Sequence, residues 1–334
     1  MRGGGLGMAR DDHWDELTER SRQRRGRRGR RRQPELSEDE VEDLAHERRE
    51  TDAFLAGLED GGSGYRWMKE DRYRRMFRDI EDKLQGVLGA GPFEWVDRRV
   101  FDQVFDRLTL MSVYKLMSDG VVDTLDHPIA RGKEAHVFHG TTMDGDAVAV
   151  KIFHTSNAVF KNLVQYIEGD PRFGGLKRRH RDLVDIWVRK EHRNLERLRK
   201  WGLSVPAALG VQRNVLVMEY IGDAAAPARK LREVEVEDAE TVYVALLEFL
   251  AVAWQKARLV HGDFSPYNIL WYNGAPVVID VGQAVIDSHP KSREFLVRDV
   301  TWLVEWGQRQ GLDVEVADAL VDVLEMPLDH VEEV

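Results

Sequence analysis

The chain of 334 residues contains no cysteine, which excludes disulfides, thiolate catalysis and cysteine-ligated metal centres. It has no run of about 18 apolar residues, and Met1–Arg10 holds no apolar signal core, so a cytoplasmic protein with no membrane span is expected. Lysine is scarce, 12 residues against 37 arginines, in a chain of net charge −10. An acidic, lysine-poor body hints at a high-salt cytoplasm, where hydrated carboxylates keep a protein soluble. Internal repeats, an H-E-x-x-H pattern and a cluster of metal-binding histidines are also missing. The length suffices for one large domain or two ordinary ones with a real core.

Charge is unevenly spread. Met1–Gln33 carries 11 arginines against 5 acidic residues, a net of +6 that leaves −16 for the remainder. Arg20–Arg32 has no apolar residue and repels itself, so it is expected to be a disordered arm. Such an arm suits phosphate backbones, structured RNA above all, and the alternative is a solubilising tail. The sign flips at Pro34. Glu35–Glu50 is acidic, with a capping-box pattern at Ser37 and Glu40, and Gly61–Gly64 is a flexible break.

The stretch Leu259–Asp280 carries the chemistry. Leu259-Val260 leads into His261-Gly262-Asp263, Asn268 follows, and a hairpin turning at Asn273-Gly274 ends on Asp280. Phosphoryl transfer from a nucleotide needs an acceptor for the proton of the attacking hydroxyl, and hard oxygen ligands for the metal that bridges the phosphates. Asp263 suits the first role, and Asn268 and Asp280 suit the second. The spacing fits the kinase pattern H-x-D-x-x-x-x-N. The structural alternative is a set of turn residues bonded to their own backbone.

Upstream, Val100, Val104, Leu108, Met111 and Leu116 fall on one helical stripe, and Tyr65–Met117 is expected to form two or three helices, with Met111 and Met117 in a core. The β pattern starts near Thr124. Ile129–Gly140 and Ala147–Phe153 read as antiparallel strands, with Gly132 between the first two, where a backbone can approach phosphates. No second or third glycine accompanies it. Lys151 interrupts an apolar strand after V-A-V, as a phosphate-contacting lysine does. In the following helix Glu191 shares a stripe with Leu183, Trp187, Leu195 and Leu198. A carboxylate on a buried face needs a cation, for which Lys151 is the natural partner and Arg189 or Arg193 the alternatives. On this reading Lys151→Ala weakens nucleotide use and leaves the fold largely intact. Val215–Tyr220 runs into Ile221-Gly222, a hinge where the backbones of Glu219 and Ile221 could meet adenine, with Met218 behind it. A long helix over Val236–Arg258 would support the catalytic hairpin. Asp299 could brace the catalytic loop or cap a helix.

Together these residues resemble the RIO family of atypical kinases, its first subgroup in particular. The signs are G-K-E-A-H-V-F at Gly132–Phe138, K-I-F at Lys151–Phe153, G-D-P-R-F at Gly169–Phe173, K-E-x-R-N-L at Lys190–Leu195, V-L-V-M-E-Y-I-G at Val215–Gly222, H-G-D-F-S-P-Y-N-I-L at His261–Leu270, I-D-V-G-Q-A-V at Ile279–Val285 and F-L-V-R-D-V at Phe295–Val300. The resemblance runs from about Phe101 onward and implies an α+β, bilobal protein-kinase-like fold with a reduced C-lobe that lacks an activation segment. It further implies that Gly132, Lys133, Glu134, Lys151, Glu191, Met218, Glu219 and Ile221 bind ATP, that Asn268 and Asp280 hold Mg²⁺ (or Mn²⁺), and that Asp263 and Asp280 are catalytic. Ser/Thr autophosphorylation, a phospho-aspartate at Asp280, ATP hydrolysis and a role in small-ribosomal-subunit maturation are implied as well. The layout expected is residues 1–64 as basic arm and acidic segment, 65–123 as N-terminal helices, 124–218 as N-lobe and 219–334 as C-lobe. Partners expected are a small-subunit precursor and its RNA through Arg20–Arg32, with neither DNA nor membrane. Gly262, Phe264 and Gly282 depart from the first subgroup, which usually has Ala, Leu and Ser there. Two competing functions share some features: a small-molecule phosphotransferase of the aminoglycoside or choline type, and an RNA-binding scaffold clamped by nucleotide.

Overall fold

The computed structural model describes residues 82–84, 105–155, 166, 180–224 and 226–334. The arginine arm, the acidic stretch with Ser37 and Glu40, Gly61–Gly64, Val100, Val104 and the Gly169–Phe173 motif lie outside the described residues, as do most of the helices expected before Thr124.

Helix α1 (Arg107–Ser118) starts at Asp106, whose carboxylate accepts the Thr109 N–H. It buries Leu110, Met111, Val113, Leu116 and Met117, so both methionines are core residues, as the periodicity indicates. Three strands follow, β1 (Thr124–Arg131), β2 (Ala135–Thr141) and β3 (Ala147–Phe153). After helix α2 (His180–Arg199) come β4 (Ala208–Gln212) and β5 (Val215–Glu219). These strands form one antiparallel sheet in the order β1-β2-β3-β5-β4. Alternation splits its residues between two faces. Phe138, Val148, Val150, Ile152, Val215 and Val217 join α1 in one apolar cluster. Lys151 lies on the other face, paired with Val137 and Leu216, and meets α2 there.

Beyond β5 the chain turns helical. Strand β6 (Arg229–Lys230) precedes helix α3 (Ala239–Gln255), capped by Asp238, whose side chain accepts the Thr241 N–H. The expected helix is thus three residues shorter at each end, cut by that cap and by the left-handed Arg258 turn that leads into β7. Strand β7 (Leu259–Val260) pairs with β10 (Val285–Ile286), and between them runs the hairpin of β8 (Ile269–Tyr272) and β9 (Ala275–Val278). Asn273 and Gly274 both have positive φ, which suits the right-handed twist of a two-residue hairpin. Helices α4 (Ser292–Arg309) and α5 (Val316–Glu325) complete the C-terminal half. One cluster runs unbroken from Phe153 and Trp187 through α3 to Leu324, so α2 shares a core with the C-terminal half as well as covering the sheet.

The outcome is a five-stranded sheet followed by a mostly helical half, joined at the end of β5: the α+β, two-lobed arrangement expected. Asp280 passes directly into a short turn (Val281–Gln283), β10 and α4, with no extended segment between.

Candidate active site

Lys151 projects from the middle of β3, and its Nζ donates to Glu191 Oε1 at 2.6 Å and to Asp280 Oδ1 at 3.0 Å. Glu191 is only 1% exposed, whereas the Asp280 side chain is 44% exposed. So α2 delivers one carboxylate from within the core, and the end of β9 delivers another from the solvent side. The cation expected for Glu191 is Lys151. Burial opposes charge on Lys151, but Asp280 and Glu191 outweigh it and hold the ammonium protonated. Burial also opposes ionisation of Asp280, and Lys151 overcomes this and keeps the carboxyl below its usual range. For Glu191, burial pushes the carboxyl up while Lys151 pulls it back. Oε1 takes the Lys151 bond; Oε2 is buried with no hydrogen-bond partner.

The catalytic-loop pattern folds as a polar knot. Asn268 Nδ2 donates to the Asp263 carbonyl at 2.9 Å and to Asp263 Oδ2 at 3.0 Å, and Gln283 Nε2 reaches the same Oδ2 at 3.3 Å. Burial, then the nearby Asp280 charge, raises the Asp263 pKa against the pull of Asn268. That is the direction required of a group that accepts a proton. His261 is buried and neutral, its pKa lowered to about 4 by burial; Nδ1 accepts the Asp263 N–H at 3.2 Å, so Nε2 donates to the Ile279 carbonyl at 3.2 Å. Beneath the loop, the wholly buried Asp299 accepts the Gly262 and Phe264 N–H groups, and Arg298 donates to the Gly262 carbonyl. Asp299 is therefore a brace, not a cap. Gly262 has φ +79°, and an added Cβ would lie 3.1 Å from the Gln283 carbonyl oxygen, so glycine fits where alanine would be strained.

Two buried residues of α2 have roles that the sequence did not disclose. Lys190 Nζ donates to the Gly282 and Ala284 carbonyls, each at 2.6 Å, and Asn194 Nδ2 donates to Val281 at 2.9 Å and Ala284 at 3.1 Å. They satisfy the backbone of the turn that follows Asp280 and tie it to the helix that carries Glu191. At Gly282 an added Cβ would lie 3.0 Å from Trp187 Nε1 and 3.2 Å from Glu191 Oε2, so helix and turn touch backbone to side chain. Lys190 and Asn194 sit one turn apart in a charged run, and a lysine and an amide at that spacing usually denote a solvated face. The available signal is their registry with Glu191.

The phosphate loop brings Glu134 to the same centre. Burial, followed by the Asp280 charge, pushes its carboxyl up to about 7. Lys133 is exposed, and Gly132 donates its N–H to the Ala135 carbonyl at 2.8 Å. At the hinge Glu219 donates its N–H to Ala207 and Ile221 accepts the Ala228 N–H at its carbonyl; neither bond involves the Glu219 carbonyl or the Ile221 N–H. Met218 packs, partly buried, against the core beside Ala149.

Lys151, Glu191, Asp280, Asp263, Asn268 and Glu134 thus share one polar centre, while Lys133 is exposed and Met218, Glu219 and Ile221 lie at the end of β5 and just beyond it. Among the described residues no group of three or more His, Asp or Glu side chains could hold a metal alone. The Asn268 amide nitrogen is taken by Asp263, leaving Oδ1 as its donor, and Asp280 offers a half-exposed carboxylate. Two hard oxygens fit Mg²⁺, which usually takes one or two side-chain oxygens plus water and substrate phosphate.

Comparison with known proteins gives a consistent picture. The RIO domain family matches residues 136–319. The RIO-type serine/threonine-protein kinase Rio1 of Haloferax volcanii is 42% identical over 242 residues, covering 72% of this chain and 81% of that protein. Rio1 of Methanocaldococcus jannaschii is 33% identical, covering 71% of this chain and 81% of its own. The human serine/threonine-protein kinase RIO1 is 34% identical, and the match covers 69% of this chain but 41% of the human one. Among solved structures, the Rio2 kinase from Chaetomium thermophilum superposes with a TM-score of 0.49 at 22% identity, covering 64% of this chain and 66% of that one.

Proposed function

Since the chain belongs to the RIO family of serine/threonine-protein kinases, first subgroup, we propose that it transfers the γ-phosphoryl group of ATP to Ser or Thr hydroxyls or to its own Asp280. The observation that carries this reading is the bridging of Lys151 between a buried Glu191 and an open Asp280, within one cleft with Asp263. Lys151, fixed from behind by Glu191, positions the phosphates, and Glu134 and Lys133 close the cleft from above. Adenine meets the Glu219 carbonyl and the Ile221 N–H in front of Met218. Bound Mg²⁺ (or Mn²⁺) would be held by Asn268 and Asp280 and neutralise phosphate charge. With an alcohol acceptor, Asp263 takes the hydroxyl proton as the new O–P bond forms and ADP leaves. With Asp280 as acceptor, its carboxylate oxygen forms the O–P bond as the β,γ P–O bond breaks and ADP leaves; water then attacks that acyl phosphate, giving its proton to Asp263, and phosphate leaves to restore the Asp280 carboxylate and complete ATP hydrolysis.

The biological setting we infer is small-ribosomal-subunit maturation in the cytoplasm, with Arg20–Arg32 contacting precursor RNA. The family and the charge of the arm support it. ATP labelled at the γ position tests the chemistry: with Mg²⁺ the wild type should retain label and release phosphate, and Asp263→Asn should label Ser and Thr and release phosphate far more slowly. Label passing only to small alcohols would favour the aminoglycoside-type reading. Nucleotide binding with no turnover in either protein would favour the RNA-binding clamp.

A further inference from the structure

The turn after Asp280 is tied to α2 on one side and reaches the catalytic loop on the other. Lys190 and Asn194 of α2 donate to the carbonyls of Val281, Gly282 and Ala284, which bracket Gln283. The Ala284 N–H closes the turn on the Val281 carbonyl at 3.1 Å. Turn and catalytic loop leave one short ladder side by side, because β7 and β10 pair Val260 with Val285. They stay close beyond it: the Gln283 carbonyl oxygen lies 3.1 Å from where a Cβ on Gly262 would stand. From this fixed backbone the half-buried Gln283 side chain extends to the loop, and its Nε2 donates to Asp263 Oδ2 at 3.3 Å.

Asp263 Oδ2 therefore receives two N–H donors from different segments, since Asn268 Nδ2 also donates to it, at 3.0 Å. Among the described residues none donates to Oδ1. Asn268 belongs to the loop itself and offers its own Oδ1 to the metal, whereas Gln283 stands outside both. A carboxylate held at one oxygen by two donors from separate segments cannot exchange its oxygens without losing both bonds, which keeps its reacting oxygen in place. We propose that Gln283 is a positioning residue for Asp263: it locks Oδ2, so that Oδ1 takes the proton of the attacking hydroxyl or water while the bond to the leaving ADP or Asp280 oxygen breaks. Through the bonds of Lys190 and Asn194 it also sets Asp263 in register with Glu191, and so with Lys151. The proposal rests on the nucleotide reading of this site. Gln283 acts through Asp263, so its loss should slow turnover and leave ATP binding as it is.

The test uses the full chain with γ-labelled ATP and Mg²⁺, comparing wild type, Gln283→Met, Gln283→Glu, Asp263→Asn and the double variant Asp263→Asn with Gln283→Met. Gln283→Met removes the donor at similar length; Gln283→Glu keeps the shape and turns an oxygen toward Oδ2 in place of the N–H. For both, kcat is expected to fall about tenfold, the weight of one hydrogen bond to a charged group, and for Gln283→Met the KM for ATP should stay within about twofold. Adding Gln283→Met to Asp263→Asn should change turnover by less than about twofold, because the group it positions is already gone. A further tenfold loss in that background would mean a merely structural role and overturn the proposal. So would a raised KM with unchanged kcat, or wild-type turnover by Gln283→Glu, the variant that carries the test if Gln283→Met does not fold. Wild-type turnover by Asp263→Asn would sink the catalytic reading and this proposal together, whereas a slow Asp263→Asn beside two fully active Gln283 variants sinks only the role of Gln283.

Discussion

Asp299 Oδ2 accepts the Gly262 N–H at 2.7 Å across 37 positions of sequence, while its Oδ1 accepts Phe264 at 3.1 Å. One buried carboxylate on α4 therefore fixes the backbone on both sides of Asp263. Removing it strands two buried donors, at about 1–3 kcal/mol each. Asp299→Ala should lower stability by about 2–5 kcal/mol in urea melts and loosen the loop. A loss below about 1 kcal/mol would mean that water substitutes for the brace.

Asp299 also gives stability a pH dependence. Burial lifts its pKa to about 7 from the usual 3.8, so between those values the folded state holds a proton that the unfolded chain releases. Its contribution is fully present below the lower value and disappears as pH rises through the upper one. The stability difference between wild type and Asp299→Asn should therefore shift against wild type from pH 5 to pH 8. A difference that stays constant with pH would contradict this.

The buried pair changes what the sequence suggests about Lys151. Read from its strand, Lys151→Ala looks harmless to folding. In the structure it leaves Glu191, 1% exposed, with no cation at Oε1. Breaking a buried pair from one side costs about 3–5 kcal/mol, whereas replacing both partners by apolar groups is often neutral. Lys151→Ala should thus lose both nucleotide use and stability, and Lys151→Met with Glu191→Leu should regain stability without activity. Wild-type ATP hydrolysis by Lys151→Ala would refute the assignment outright.

Much of this site was legible because local pattern and chemistry agreed. Asp263, Asn268 and Asp280 stand on one hairpin with a turn that only residues such as Asn273 and Gly274 make easily. Lys151 and Glu191 each broke an apolar stripe, and a buried charge asks for its counterpart. The roles of Lys190 and Asn194 were hidden because each is fixed by distant backbone carbonyls that no periodicity marks, and that of Gln283 because it reaches the Asp263 carboxylate from 20 positions away. The ends of α3 were set by a cap and by a left-handed residue, both finer than hydrophobic spacing resolves.

Lys190 offers a check on that hidden layer. Lys190→Met keeps the length of the side chain and removes the donor to the Gly282 and Ala284 carbonyls. With the turn after Asp280 released, Mg²⁺-dependent ATP affinity and turnover should both fall, each by about tenfold or more, the weight of one buried charge-assisted bond. An effect on thermal stability alone would leave the turn independent of Lys190.

The basic arm should add salt-dependent RNA affinity and leave the chemistry alone. Each phosphate contact contributes about 0.7–0.9 to the slope of log K against log salt. Deleting residues 1–33 should flatten that slope and preserve ATP hydrolysis. An unchanged slope would reduce the arm to a solubilising tail.

Asp280 has φ and ψ both at 60°, a left-handed conformation that asparagine tolerates as aspartate does. Asp280→Asn thus removes one charge without straining the turn that Lys190 and Asn194 hold, and separates the duties of the two aspartates. Lys151 keeps Glu191 as partner, so the fold should survive, while Mg²⁺-dependent ATP binding and turnover both fall. Asp263→Asn leaves the metal ligands in place, so it should spare ATP binding and cut turnover by about 10²–10⁴, the usual weight of acid–base assistance. If Asp280 itself takes the phosphoryl group, wild type incubated with labelled ATP should carry a hydroxylamine-sensitive mark, as an acyl phosphate does, and Asp280→Asn should not. A mark confined to Ser or Thr, resistant to hydroxylamine, would leave Asp280 a metal ligand and make transfer to hydroxyls the main reaction of this cleft.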